Sequence, residues 1–104
     1  MSHRKLGENV LQEADRITGN DRMHDYGHPL DNHTRTAAFW RLWIHGRYGI
    51  DVPFDWRDVC HMNDQQKTSR ECNAPGRDNW TDKAGYMRNV EQCAEEEARR
   101  AEET

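Results

Sequence analysis

Two cations at the end of a helical stripe are the residues whose placement most demands a chemical partner. Trp56, Val59, Asn63, Lys67 and Arg70 recur at helical spacing, and the stripe turns from apolar to polar midway. A cation turned inward needs an anion or loses its charge. Two sources of that anion are open. Asp78 and Asp82 stand at the start of the next predicted helix, and an antiparallel hairpin would bring them beside Arg70 and Lys67 as an internal ion-pair set that fixes its register. Alternatively the open end of the bundle is a polar pocket for an anionic ligand. Its residues would be Asn63, Lys67, Arg70, Arg77, Asp78, Trp80 and Asp82, with N–H groups of the first helical turn as further donors.

A second constellation is Asp25-Tyr26-Gly27-His28-Pro29-Leu30-Asp31-Asn32. Much of it reads as a turn and helix start, with Gly27 giving backbone freedom and Asp31 capping. Tyr26 and His28 add a ring that could stack on a nucleobase and an imidazole that could meet a phosphate or ribose. Structural zinc is disfavoured, since His24 and His28 flank helix breakers and the adjacent Cys60 and His61 point to different helix faces. Magnesium fits better, because Asp78 and Asp82 are one turn apart and two carboxylates with a bound phosphate can hold that ion. No Ser-His-Asp or Cys-His triad, phosphate-binding glycine loop or dinucleotide motif is present.

These residues need elements to position them. Leu6, Val10, Ala14 and Ile17 predict a helix over 3–18, and residues 19–29 read as a connecting loop. A second helix over about 31–46 is apolar almost all round, so it is buried or faces another chain. Asp55 is a plausible cap for the third helix, 73–76 is a turn, and Asp78 would cap the fourth, which ends in a charged helix end or tail over 95–104. The expected fold is a single all-α domain over 1–104, a compact antiparallel bundle of about four helices.

With 104 residues, a second core is excluded. Leu, Ile, Val and Phe number only 13, but four Trp, three Tyr and four Met argue against disorder. So thin a core predicts a homo-oligomer. Net charge is -4, carried by the tail over a neutral body, which speaks against duplex DNA as a partner. No apolar run reaches membrane or signal-peptide length, and three unpatterned cysteines suit a reducing compartment, so a cytoplasmic protein is expected.

Asp25-Tyr-Gly-His-Pro-Leu-Asp-Asn32 with Arg35 and Trp40, the helix carrying Lys67 and Arg70, and Arg77-Asp-Asn-Trp-Thr-Asp-Lys-Ala-Gly-Tyr86 together resemble a small family of bacteriophages and prophages, over roughly residues 10–93. More distantly the chain is similar to the all-α nucleotide pyrophosphatases of the MazG and dimeric dUTPase type, whose hairpin holds magnesium on a nucleoside triphosphate. That superfamily expects Glu-x-x-Glu on the first hairpin helix, where this chain has Asp64, Lys67, Arg70 and Glu71, and Glu-x-x-Asp on the second, where it has Asp78 and Asp82. The resemblance implies a nucleotide-sized ligand, and the cations in place of half the metal site imply binding without hydrolysis and no required cofactor. A phage-encoded protein of this kind would work in the host cytoplasm and sequester a nucleotide or cyclic nucleotide signal of host immunity. The alternative is a magnesium-dependent nucleoside triphosphate pyrophosphohydrolase using Glu71, Asp78 and Asp82.

Overall fold

The computed structural model describes residues 4–103; His3 at the start of the predicted first helix, the rest of 1–3 and Thr104 lie outside the described residues. Five helices follow one another: α1 (Val10–Ile17), α2 (Asn20–Tyr26), α3 (Pro29–Tyr48), α4 (Trp56–Asn73) and α5 (Arg77–Glu102). The described residues contain no strand, so the fold is all-α. None of these helices is long and apolar enough to cross a membrane.

Local chemistry sets most of the boundaries. Asn9 and Gln12 form a reciprocal capping box, so α1 starts seven residues later than predicted. Asp55 and Asp58 form a second box at α4, with Asp55 accepting from the Arg57 amide at 2.8 Å. Three expectations are corrected. The stretch 19–29 is not one loop, because 20–26 closes two turns of helix before Gly27, at φ 82°, ends it in a conformation that favours glycine. Asp31 does not cap α3. His28 does, its Nδ1 accepting from the Leu30 amide at 3.0 Å ahead of Pro29, while Asp31 pairs with Arg100. Asp78 does not cap α5 either, for Gly76 holds that position. Glu71 reaches over from α4 to accept from the Gly76 amide and the Asn79 side chain, so the turn is fastened from behind. The tail prediction resolves to helix, since Glu96 with Arg99 and Arg100 supplies i,i+3 and i,i+4 pairs to its last turns.

α4 and α5 form the antiparallel hairpin: Trp56 Nε1 at one end donates to Glu97 at 3.0 Å, and Lys67 meets Asp82 at 2.8 Å toward the other. α3 lies across both, tied to α5 by the Arg100–Asp31 pair. α1 runs alongside α5 in the same direction, since Glu13 meets Thr81, Asp15 meets Arg88 and Thr18 meets Gln92. The core between the helices is small: Leu30, Trp56, Cys60 and Cys93 cluster with Val90 against them, and Ala14, Ala37 and Val59 are also buried. Cys60 and Cys93 are fully buried and behave as small hydrophobes; the Cys60 sulfur and burial together push the Cys93 thiol far up, and all three cysteines are free thiols. α3 is less buried than its composition predicts. Leu30 and Ala37 are its buried side chains, while Phe39, Leu42 and Trp43 stand well over half exposed.

What the core lacks in aliphatic area is supplied by buried polar contacts. Glu13 is 1% exposed and accepts from the Thr81 hydroxyl at 2.8 Å and from Arg77 Nε at 3.2 Å, and Arg77 also donates to the Glu8 carbonyl. Farther along, the Gln92 amide donates to the Thr18 carbonyl and Asn89 donates to Gln92. Asn89 in turn presents its oxygen to His33 Nε2 of α3 at 3.4 Å, so the imidazole is the donor. Burial holds the His33 pKa below its ordinary value, the Asn89 contact opposes that, and the Arg22 charge adds to it.

Two consequences can be measured. Glu13→Ala leaves Arg77 and Thr81 facing a cavity and is expected to cost about 3 kcal/mol or more in urea unfolding. Asp15→Ala, removing a carboxylate whose side chain is 72% exposed, is expected to cost less than about 1 kcal/mol; equal losses would contradict this account. As for pH, the folded His33 pKa lies below the unfolded value of 6.5, so below pH 6.5 the unfolded chain takes up a proton that the folded chain resists. Stability then falls as pH drops through 6.5 and levels off below the folded value. Melting temperatures from pH 7.5 to 5 are expected to decline less in His33→Gln than in the wild type, and parallel profiles would contradict the assignment.

Candidate functional site

The short helix α2 and the start of α3 stand off from the hairpin, and the space between is a cleft in two hollows of about 510 and 420 Å³. Their common wall contains Thr18, Arg22, Tyr26, Tyr86 and Asn89. On the α5 side, Asp82, Tyr86 and Asn89 follow at intervals of four and three, so one helix face supplies a carboxylate, a phenol and an amide. On the α2 side, Arg22 lies over the Tyr26 ring at 4.9 Å from its centroid. Asn63 of α4 and His33 of α3 line the smaller hollow. Lys5 and Arg16 reach the larger one, where Arg16 is held by the Glu8 carboxylate at 2.9 Å. That contact lowers the Glu8 pKa to about 2. Both hollows are open and both fall within the size range of small-ligand sites.

The predicted site residues divide among four places. Tyr26, Asn63 and Asp82 meet at the cleft, and Lys67 stands behind it, its side chain only 15% exposed and paired with Asp82. A second pair, Lys83 with Asp64 at 3.0 Å, crosses the same two helices, so two ion pairs set the register of the hairpin. Arg70 is exposed on the outer turns of α4, beyond the point where the stripe leaves the core. His28 is the helix cap described above. Arg77 and Asp78 line a separate hollow at the hairpin turn together with Arg4, Gly76 and Asn79, and Arg77 is committed to Glu13. Trp80 is half exposed on the same turn. Trp80, then Asn79 and the Gly76 amide, donate to Glu71 and hold its carboxyl below the usual carboxylate range.

Glu71, Asp78 and Asp82 are therefore not brought together. Among the described residues no group of three or more His, Cys, Asp and Glu side chains is placed to hold a metal ion. The sequence reading missed Arg22, His33, Tyr86 and Asn89. Tyr86 closes the Arg77–Tyr86 motif and shares a face with Asp82 and Asn89, which was a usable signal; Arg22 was hidden by reading 19–29 as loop.

No curated protein and no solved structure matches this chain. A family model does, one described as a domain of unknown function and designated DUF6378, and it matches residues 9–94, from the capping box of α1 past the last cleft residue of α5, Asn89. The chain belongs to the DUF6378 family.

Proposed function

We propose that the protein binds a nucleotide in the cleft between α2 and α5, without hydrolysing it. The observation that carries this reading is the pairing of Tyr26 and Tyr86, from opposite sides, with Arg22 in the wall common to both hollows. Aromatic rings offer stacking surfaces for a base, and an arginine already lying on a ring offers its fork to a phosphate. Asn63 and Asn89 add amide groups able to read a base edge. Arg70, Arg77, Asp78, Trp80 and His28 take no part in this site. Binding of a cyclic nucleotide signal, and a phage setting in which sequestration would serve, belong to the same proposal. So does self-association, as the composition predicts.

The pyrophosphohydrolase reading is weaker. Asp82 is held by Lys67 and Glu71 by the hairpin turn, so the carboxylates that magnesium would need are engaged in different places.

Thermal melting tests the proposal with ATP, dUTP and a cyclic dinucleotide, each at 1 mM in EDTA. A ligand present at a hundred times its Kd stabilises by about 2.7 kcal/mol. At least one of the three is expected to raise the melting temperature by several degrees. Tyr26→Ala, a substitution at a ring 65% exposed, is expected to melt where the wild type does and to lose the shift. No shift with any of the three contradicts the proposal, and release of pyrophosphate on adding magnesium establishes the enzyme instead.

A further inference from the structure

α3 carries two stripes on opposite sides. Leu30, His33, Ala37, Trp40 and Ile44 recur at intervals of three and four and are buried or half-buried against the rest of the chain. Phe39, Leu42, Trp43 and Gly46 recur in the same way about half a turn round the helix, and the three side chains among them are 63%, 68% and 67% exposed. Tyr48, the last residue of α3, and Ile50 just beyond it are a further 60% and 57% exposed. Isolated exposed apolar residues are ordinary, but five large ones gathered on one segment are not.

The size of the exposed surface says how much cover is missing. A folded monomer of 12.3 kDa is expected to expose about 6,100 Å², with a radius of gyration of about 13 Å. This chain exposes 7422 Å² at a radius of 15.4 Å, spread over a slab 47 × 41 × 19 Å. The excess, about 1,300 Å² over the whole chain, is larger than the roughly 800 Å² that each partner buries in an interface of standard size. At the rim Arg41 is paired in bidentate fashion with Asp51 at 2.6 and 2.7 Å, and Arg47 lies over the Tyr48 ring at 4.9 Å. A surface that is apolar at its centre is complementary to its own copy, as a two-fold contact requires. Gly46 ends the stripe with open space where a Cβ would project, so a facing helix can approach closely there.

We propose that the outer face of α3 is a two-fold interface with a second copy of this chain, centred on Leu42, Trp43 and Gly46. The contact covers the apolar half of α3 that the chain's own core leaves exposed. It lies farther along α3 than Asn32 and Thr36 of the cleft, toward the C-terminal end of the helix, and does not depend on any ligand.

Sedimentation equilibrium of the full chain from 1 to 100 μM tests it. The wild type is expected as a dimer, at twice 12.3 kDa. Gly46→Glu places a charge beside Leu42 and Trp43 at a position with no neighbour inside the chain, and is expected to sediment as a monomer with an unchanged far-ultraviolet spectrum. Leu42→Glu is expected to do the same. A monomeric wild type overturns the proposal, as does a Gly46→Glu protein that is folded and still dimeric. If Leu42→Glu fails to fold, Gly46→Glu alone decides.

Discussion

A carboxylate with 1% of its surface exposed is expensive to bury, and in this chain the placement of the first helix depends on how Glu13 is satisfied. α1 is eight residues long, too short to persist alone, and only Ala14 among its apolar residues is buried. Its position on α5 comes from Thr81 and Arg77 converging on the Glu13 carboxylate, with Arg77 also taking the Glu8 carbonyl. The pair fixes the rotation of α1 about its own axis, because no other residue of α1 can fill that polar hole. The Thr18 carbonyl then falls within reach of Gln92, and Asn89 is turned toward His33.

The cleft follows from this docking. α1 ends at Ile17, and the corner at Thr18 and Gly19 sends α2 outward over the Tyr86 and Asn89 face of α5. Were α1 rotated or withdrawn, Tyr26 and Arg22 would lose the wall opposite them. The two hairpin pairs, Lys67–Asp82 and Lys83–Asp64, do the corresponding work on the other side, since a slip of α5 along α4 would carry Asp82, Tyr86 and Asn89 away from Asn63. Polar contacts of fixed geometry thus take over the positioning that a larger apolar core supplies elsewhere. Apolar side chains left over by this arrangement gather on the outside of α3.

How far the sequence could be read depended on whether the signal was local. The capping box at Asp55 and Asp58 and the stop at 73–76 are short-range chemistry, and the hairpin they bound was legible. The meeting of Lys67 with Asp82 was legible as one of two alternatives, because antiparallel packing dictates which residues lie opposite. α2 was not, since Asn20–Tyr26 has no apolar period and its helix is visible only once Gly27 is known to turn at φ 82°. Nor was Glu13. A glutamate in an amphipathic helix reads as solvated, and its partners are 64 and 68 residues away. Arg77 was misread for the same reason, as a ligand donor when the carboxylate it meets lies inside the chain. Tyr26, Asn63 and Asp82 were chosen for a site and do line the cleft, whereas Asp78 and Trp80 belong to the turn.

We propose that the cleft between α2 and α5 is the place where this fold meets a small anionic aromatic ligand. Amide chemical shifts of the labelled full chain during titration with ATP, dUTP or the cyclic dinucleotide test it most directly, residue by residue. The largest changes are expected at Arg22, Tyr26, Asn63, Tyr86 and Asn89, with Arg77 to Asn79 little affected. Changes centred on the hairpin turn at Arg77 to Asn79, or none at millimolar ligand, would contradict it.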